Sequence, residues 1–458
     1  MQLRQAGGGG ARRAASEARS EADPSGVPEG PAERRRAPAK QARAAGAQRA
    51  AGERRRAPAR LGEANLAALT AGALALPGLA GPAAAAEGML DRIGADYNFS
   101  RYSEGKISAS KVAPGSERRR FDIDMHQVRL ATPIADRFEL GLDVVHESMS
   151  GATPWYVIPG DEGEPVQVMT GATVEDKRTD ALLEGKYYMD RAQASLSGGV
   201  SFEKDYLAIN GGLGGQLDLN EKLTALSGGL GVSIDSIDPV DTAEYPLRPS
   251  HEKKQTYSGY AGISHVLGRN TALQSTLTYQ LGHGFLSDPY KQALVEGEPL
   301  ADSRPDMRHQ IAWLSRLRRH FSSLNASAHL DYQFYWDDWS ITAHSLEAAW
   351  YQTLFEAFRV IPSFRYYSQG KADFYANYYE TPRADGLYSS DYRLSPYGAL
   401  SWRIRAETRF STWQLDWLLS FAYEQYFSSG KYALQKVGAA NPGLVNYDLF
   451  SVGLTTRF

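Results

Sequence analysis

The sequence predicts an all-β fold: an up-and-down transmembrane antiparallel β-barrel of about 16 strands, with short periplasmic turns and long extracellular loops. Three observations predict it. After residue 86 the chain alternates apolar and polar residues in segment after segment, which is the two-residue period of a strand. Every long connection follows an odd-numbered segment. No stretch after residue 86 approaches the roughly 18 apolar residues of a spanning helix. Two soluble β domains are the competing reading of the same length.

Residues 1–60 are of different material: rich in Ala, Gly, Arg and Pro, with runs at Arg34–Arg36 and Arg54–Arg56 and no apolar periodicity. Such a segment buries too little surface to offset the entropy of ordering. It reads as a disordered basic low-complexity leader, or as the product of a start site placed too far upstream, ahead of a basic nucleic-acid-binding arm. Residues 61–86 follow Arg60 with a short apolar run, broken at Pro77 and Gly78, that ends in Ala84, Ala85 and Ala86. These are the parts of a signal peptide, with cleavage expected near Ala86 and the barrel occupying 87–458; an Ala-rich linker is the alternative. Residues 1–86 hold 14 Lys and Arg and 7 Asp and Glu against 50 and 53 in the whole chain, which leaves 36 and 46, a net charge of −10. That acidity argues against a nucleic-acid partner. The chain has no Cys, so no disulfide framework supports an exported fold.

The expected strands are 94–103, 121–133, 137–148, 178–190, 192–204, 206–219, 222–234, 256–267, 271–286, 307–318, 322–336, 339–353, 358–369, 393–405, 412–428 and 446–458. The first, second and tenth alternate least regularly. In the eleventh, Leu324, Ala326, Ala328, Leu330, Tyr332, Phe334 and Trp336 oppose Asn325, Ser327, His329, Asp331, Gln333 and Tyr335. In the fifteenth, Trp413, Leu415, Trp417, Leu419, Phe421 and Tyr423 oppose Gln414, Asp416, Ser420 and Glu424. The long connections, 104–120, 149–177, 235–255, 287–306, 370–392 and 429–445, follow strands one, three, seven, nine, thirteen and fifteen. In an up-and-down barrel all odd connections share one rim, and short periplasmic turns with long outer loops are the asymmetry of outer-membrane barrels; a soluble sandwich gives no reason for this parity. Tyr97, Trp336, Trp350, Trp402 and Trp413 lie near strand ends, as interfacial girdles do, although aromatics also favour strands in general.

The last strand places Phe450, Val452, Leu454, Thr456 and Phe458 on one face and Tyr447, Leu449, Ser451, Gly453, Thr455 and Arg457 on the other. Ending on Phe458, it resembles the terminal signal by which the barrel assembly machinery recognises outer-membrane barrels. On that reading Phe458→Asp impairs assembly while leaving export intact, checked by loss of heat-modifiable migration on a gel.

Ser150-Gly151-Ala152-Thr153-Pro154-Trp155 and the corner Phe202-Glu203-Lys204-Asp205-Tyr206 resemble recurrent features of a Gram-negative outer-membrane β-barrel family catalogued as domain of unknown function 3570. The resemblance spans roughly 88–458 and implies location in the cell outer membrane, among outer-membrane lipids. It names no substrate and no catalytic residue. Its genes resemble parts of clusters with a thioredoxin-like protein and a flavin transferase, which implies extracytoplasmic redox biology.

The sharpest candidate constellation lies on strands two and three. Asp122, Asp124 and His126 alternate on one face, and Glu139, Asp143 and Glu147 on a face of the next strand. A five-residue turn, 133–137, puts Asp122 opposite Glu147 and His126 opposite Asp143. The expectation is a lumen acidic patch of Asp122, Asp124, His126, Asp143 and Glu147 near the outer mouth. Carboxylates with a His suit hard or borderline cations, but a solvated wall paired with Arg365, Arg403 or Arg405 is the preferred reading, and no metal or other cofactor is assigned. His329, Asp331 and Glu347 form a second expected lumen network, read as satisfied polar contacts ahead of a proton relay. The 370–393 segment carries Phe374, Tyr375, Tyr378, Tyr379, Tyr388 and Tyr392, suited to stacking sugars, docking a partner or constricting the mouth.

No enzyme is expected. An outer-membrane phospholipase sets His and Ser two apart on a lipid-facing strand; the one such spacing here, His320-Phe321-Ser322, falls in an expected turn. Ser264-His265 and His344-Ser345 are adjacent and face opposite sides. The leading expectation is therefore a porin-like channel or transporter for a small solute. The alternative is a non-transporting scaffold or binding module for an exported redox or envelope partner in the periplasm.

Overall fold

A segment with one apolar face needs an apolar surrounding on that side only, and sixteen such segments pair edge to edge until the first meets the last. The computed structural model describes residues 90, 92–170, 174–355, 357–412 and 415–458, and in it these segments form a closed antiparallel barrel. The expected leader and signal peptide, 1–86, and Trp413 and Gln414 lie outside the described residues. The barrel strands are β1 (Gly94–Glu104), β2 (Asp122–Ala135), β3 (Phe138–Gly151), β4 (Val174–Tyr188), β5 (Ala192–Phe202), β6 (Tyr206–Leu219), β7 (Thr224–Ile237) and β8 (Glu252–Gly268). They continue as β9 (Thr271–Gly284), β10 (Met307–Phe321), β11 (Ala326–Asp337), β12 (Thr342–Leu354), β13 (Phe358–Gln369), β14 (Tyr397–Thr412), β15 (Leu415–Ser429) and β16 (Tyr447–Arg457).

The seam is continuous. β1 and β16 pair from Gly94 opposite Arg457 to Glu104 opposite Tyr447, and Ile93 and Phe458 exchange two backbone hydrogen bonds of 3.0 Å. Closure leaves no exposed strand edge. The connections after even strands are two to four residues long, and the long ones all follow odd strands. Two odd connections, 203–205 after β5 and 338–341 after β11, are also tight.

Large apolar side chains point outward along every barrel strand: Leu196 and Ile209 are 70% and 61% exposed, and Leu213, Leu230, Leu277 and Phe364 are over half exposed. Lipid is the solvent that suits such a band. Phe458 sits on the same outward face as Phe450. On β5 to β7 the inward positions are small and polar, among them Ser197, Gly212, Gly229 and Gly231.

Dense packing occurs elsewhere, among the long loops. The 152–173 loop folds as a hairpin of Pro154–Pro159 and Pro165–Met169, and the 285–306 loop as one of Gln292–Val295 and Glu298–Ala301. Trp339, Ile341, Ala372, Phe374, Tyr375 and Leu394 make one buried cluster, and Ala293, Val295, Tyr379 and Tyr388 another. Gly398 permits the approach of the 430–446 loop to β14, because a Cβ there would stand 2.1 Å from the Tyr432 carbonyl oxygen.

Several strand boundaries differ from expectation, and two of the shifts bear on residues named above. The eleventh strand begins at Ala326 after the 3-10 turn Ser322–Leu324, where Asn325 adopts φ 48°, so residues 322–325 are the turn. His320 in turn belongs to the end of β10, with its Nδ1 3.1 Å from the Ser327 hydroxyl.

Candidate functional site

Alternation decides which side chains the lumen receives, and register decides which of them meet. β11 behaves as the sequence predicts: Leu330 and Trp336 point outward, while His329 and Asp331 point in. Asp331 stands directly opposite Glu347, and Glu347 opposite Arg365. The Asp331 carboxylate accepts both Nη atoms of Arg318, Nη2 at 2.9 Å, and Arg316 Nε lies 3.5 Å away. The His329 ring lies 4.0 Å, centroid to centroid, from that of Tyr351. His329, Asp331 and Glu347 therefore share one polar wall with three arginines.

The expected acidic patch is divided. The turn after β2 is 136–137, not five residues, and a bulge at Pro133/Ala135 sets the register so that Asp122 opposes Ser150 and His126 opposes His146. Relative to expectation β3 slips by three residues, an odd number, and an odd slip reverses which face meets which. Val128 and Leu130 share the outward face with Asp122, Asp124 and His126, whereas Ile123 and Ala131 are buried on the other. Asp122 pairs with Arg119 at 2.9 Å, Asp124 with Arg101 at 3.5 Å, and His126 Nδ1 lies 2.9 Å from the Tyr97 hydroxyl. Asp143 and Glu147 do line the lumen, with Glu139 below them.

What remains is a lumen wall divided by charge. Glu139, Asp143 and Glu147 of β3 stand beside Asp180 and Glu184 of β4, with Arg129, Arg178 and Lys186 interspersed. Across the ring, β10 to β14 present Arg316, Arg318, Arg359, Arg365, Arg403 and Arg405 around Asp331, Glu347 and Glu407. Arg365 reaches Glu424 of β15 at 3.2 Å, and Arg405 reaches Glu407 at 2.9 Å. Acidic residues outnumber basic ones on the first arc and are outnumbered on the second. The centres of the two arcs are eight to nine strands apart in a ring of sixteen, so the arcs face each other.

The long loops roof this lumen. Loops rising from β3 and β9, six strands apart, touch where Lys291 Nζ donates to the Pro154 carbonyl at 3.0 Å. The loops after β1 and β15 meet where Arg120, fully buried, binds Glu104 and donates to the Gly443 carbonyl at 3.0 Å. Asn441 Nδ2 donates to the Tyr375 hydroxyl at 2.9 Å. Phe374, Tyr375, Tyr379, Tyr388 and Tyr392 are buried among the loops of the roof, so these five rings do not present an exposed stacking surface. Tyr378 reaches the Gly163 carbonyl at 3.4 Å.

Within the roof is a cage of six charges: Asp288, Asp302 and Asp391 with Lys291, Arg304 and Arg393. Arg304 bridges Asp302 at 2.6 Å and Asp391 at 3.0 Å, and Arg393 Nη2 reaches Asp288 at 2.7 Å. Burial opposes ionisation of Asp391, but Arg393, Lys291 and Arg304 outweigh it and hold its carboxyl well below the usual range. Nothing in the sequence flagged these residues, which come from two loops.

A last cluster gathers Asp176, Glu203 and Asp205, whose nearest oxygens lie within 4.8 Å of one another. Glu203 and Asp205 belong to the Phe202–Tyr206 corner that the sequence marked for its family resemblance alone; their nearness to Asp176 is a tertiary fact.

The family described as "Protein of unknown function (DUF3570)" matches residues 66–443. The chain belongs to this family. Among curated proteins no relative matches it. Among solved structures it is similar to a bacterial polysaccharide outer membrane secretin, at TM-score 0.40 and 10% identity, over 80% of this chain and 98% of that one. It is similar to OccD3 of Pseudomonas aeruginosa at TM-score 0.40 and 10% identity, over 85% and 98%, and to the CymD monoaromatic hydrocarbon channel at 0.37 and 10%, over 81% and 89%.

Proposed function

We propose that this DUF3570 chain is an outer-membrane channel for small polar solutes, constricted at its outer mouth by its own loops. The observation that supports it is the facing of an acidic arc on β3 and β4 by an arginine-rich arc on β10 to β14. Sixteen strands enclose a water-filled lumen, and opposed charges across low-dielectric walls produce a transverse field that orients dipolar solutes and admits ions of both signs. A barrel serving only as a sleeve has no use for that separation.

Single-channel recording of the purified barrel in a planar bilayer tests the proposal. Two pairs of substitutions should move the reversal potential in a salt gradient in opposite directions. Asp143→Asn with Glu147→Gln lowers cation over anion permeability, and Arg403→Gln with Arg405→Gln raises it. A unit charge about 10 Å away in water is worth roughly 0.4 kcal/mol, a factor of about two in the occupancy of either ion and of opposite sense for cations and anions, so each pair shifts the ratio by up to about sixteenfold without screening and by less as salt is added. Absence of conductance, both in the wild type and after the roof is loosened at Asp391, sinks the channel; a periplasmic protein that co-purifies with such a silent barrel favours the scaffold alternative.

A further inference from the structure

The corner between β5 and β6 carries an electrostatic problem that the described residues leave unsolved. Glu203 prolongs the inward face of β5, one step beyond Ser201, and its side chain is only 3% exposed. Its Oε1 lies 3.7 Å from Arg178 Nε, but that Nε already donates to the Ser201 hydroxyl at 2.9 Å. Its Oε2 is buried with no hydrogen-bond partner. The groups around it make matters worse, since Asp176 of β4 and Asp205 of the same corner bring two more carboxylates. A buried carboxylate without a donor is costly, and two like neighbours add to the cost. A cation or a proton resolves it.

We propose that Asp176, Glu203 and Asp205 bind a hard divalent cation of the Ca2+ class on the long-loop rim. The donor set is all oxygen, which selects hard cations over transition metals. Mg2+ keeps several of its waters and holds to a stricter octahedron, so a set of three protein carboxylates suits the larger and more flexible shell of Ca2+. Three carboxylates leave the rest of the shell to water. Asp205 Oδ2 also accepts the hydroxyl of Tyr290 in the 285–306 loop, so a cation held here anchors the roof to the barrel rim. The site does not depend on solute passage.

The rival is a proton. Burial first, then the charge of Asp176, pushes the Glu203 carboxyl up to about 8 from its ordinary 4.5. A raised carboxyl favours the folded state fully below 4.5 and loses that contribution as pH climbs toward 8, because the folded state holds the proton more tightly than the unfolded one. Without cation, therefore, stability falls between those two values.

Calorimetric titration of CaCl2 into the full barrel in detergent, stripped with EDTA and measured at pH 6, 7, 8 and 9 beside thermal unfolding, tests this. One site in about the 10⁻⁴–10⁻³ M range typical of extracellular modules is expected. Glu203→Gln weakens it at least about tenfold; because it removes a buried charge, it should fold well. Asp176→Asn weakens it too, while Lys204→Gln leaves it unchanged. No calcium binding at any pH, with Glu203→Gln merely raising stability at pH 8, shows a protonated carboxyl and overturns the proposal, as does calcium binding that survives Glu203→Gln.

Discussion

Asp391→Asn unlatches the roof. The substitution removes one charge from a cage of three carboxylates and three cations, leaving Arg304 and Arg393 to share Asp302 and Asp288. Breaking a buried pair from one side costs about 3–5 kcal/mol, because the abandoned charge stays desolvated. The barrel wall is held by its own ladder of hydrogen bonds, so the loss falls on the loops. The expected result is a normally assembled barrel in which the 285–306 and 370–396 loops become sensitive to protease and single-channel conductance rises. The wild-type carboxyl is held low, so its contribution is complete above the ordinary Asp value of about 3.9 and fades only as pH falls through the depressed one. Wild-type loops should thus resist proteolysis to well below pH 4, while the variant's loops are cut already at neutral pH. Equal protection of both would show that apolar clusters alone hold the roof.

Leu196→Arg and Ser197→Arg, one residue apart, should differ sharply. Leu196 is among the most exposed apolar residues, on the outward face of β5, and Ser197 faces the lumen opposite Gly212. An arginine on the lipid face near mid-membrane costs about 2–4 kcal/mol, while lumen changes need not disturb the lipid contact. At position 197 the facing small residues leave room for the longer chain, so a change below about 1 kcal/mol is expected there, within the range of well-solvated surface substitutions. Denaturant unfolding of both variants in lipid vesicles measures the difference, and similar losses for the two would contradict the assignment of faces.

Much of the site was legible where a strand is long and its alternation regular. Leu330 against Asp331 on β11 needs no partner to be read, because adjacent side chains of one strand point to opposite faces. Glu347 follows, since a short turn leaves little freedom of register. Asp122, Asp124 and His126 were not legible in this way. Their relation to Glu147 depends on whether the turn holds two residues or five, and the bulge at Pro133/Ala135 has no marker beyond a proline that either turn accommodates.

The sequence by itself determined the strand count, the alternation of faces, the parity of long and short connections and the acidic excess of the chain after residue 86. These follow from covalent periodicity and chain order, which are local or additive properties. Only the tertiary structure decided what the loops do. Asp391 meets Arg304 87 residues away, Tyr290 meets Asp205 across 85, and Arg120 meets Gly443 across 323. Such contacts are chosen by closure of the ring, which brings loops that are distant in the chain over one mouth. The residues that share it then pair by burial and charge, and neither loop announces its partner by its own composition.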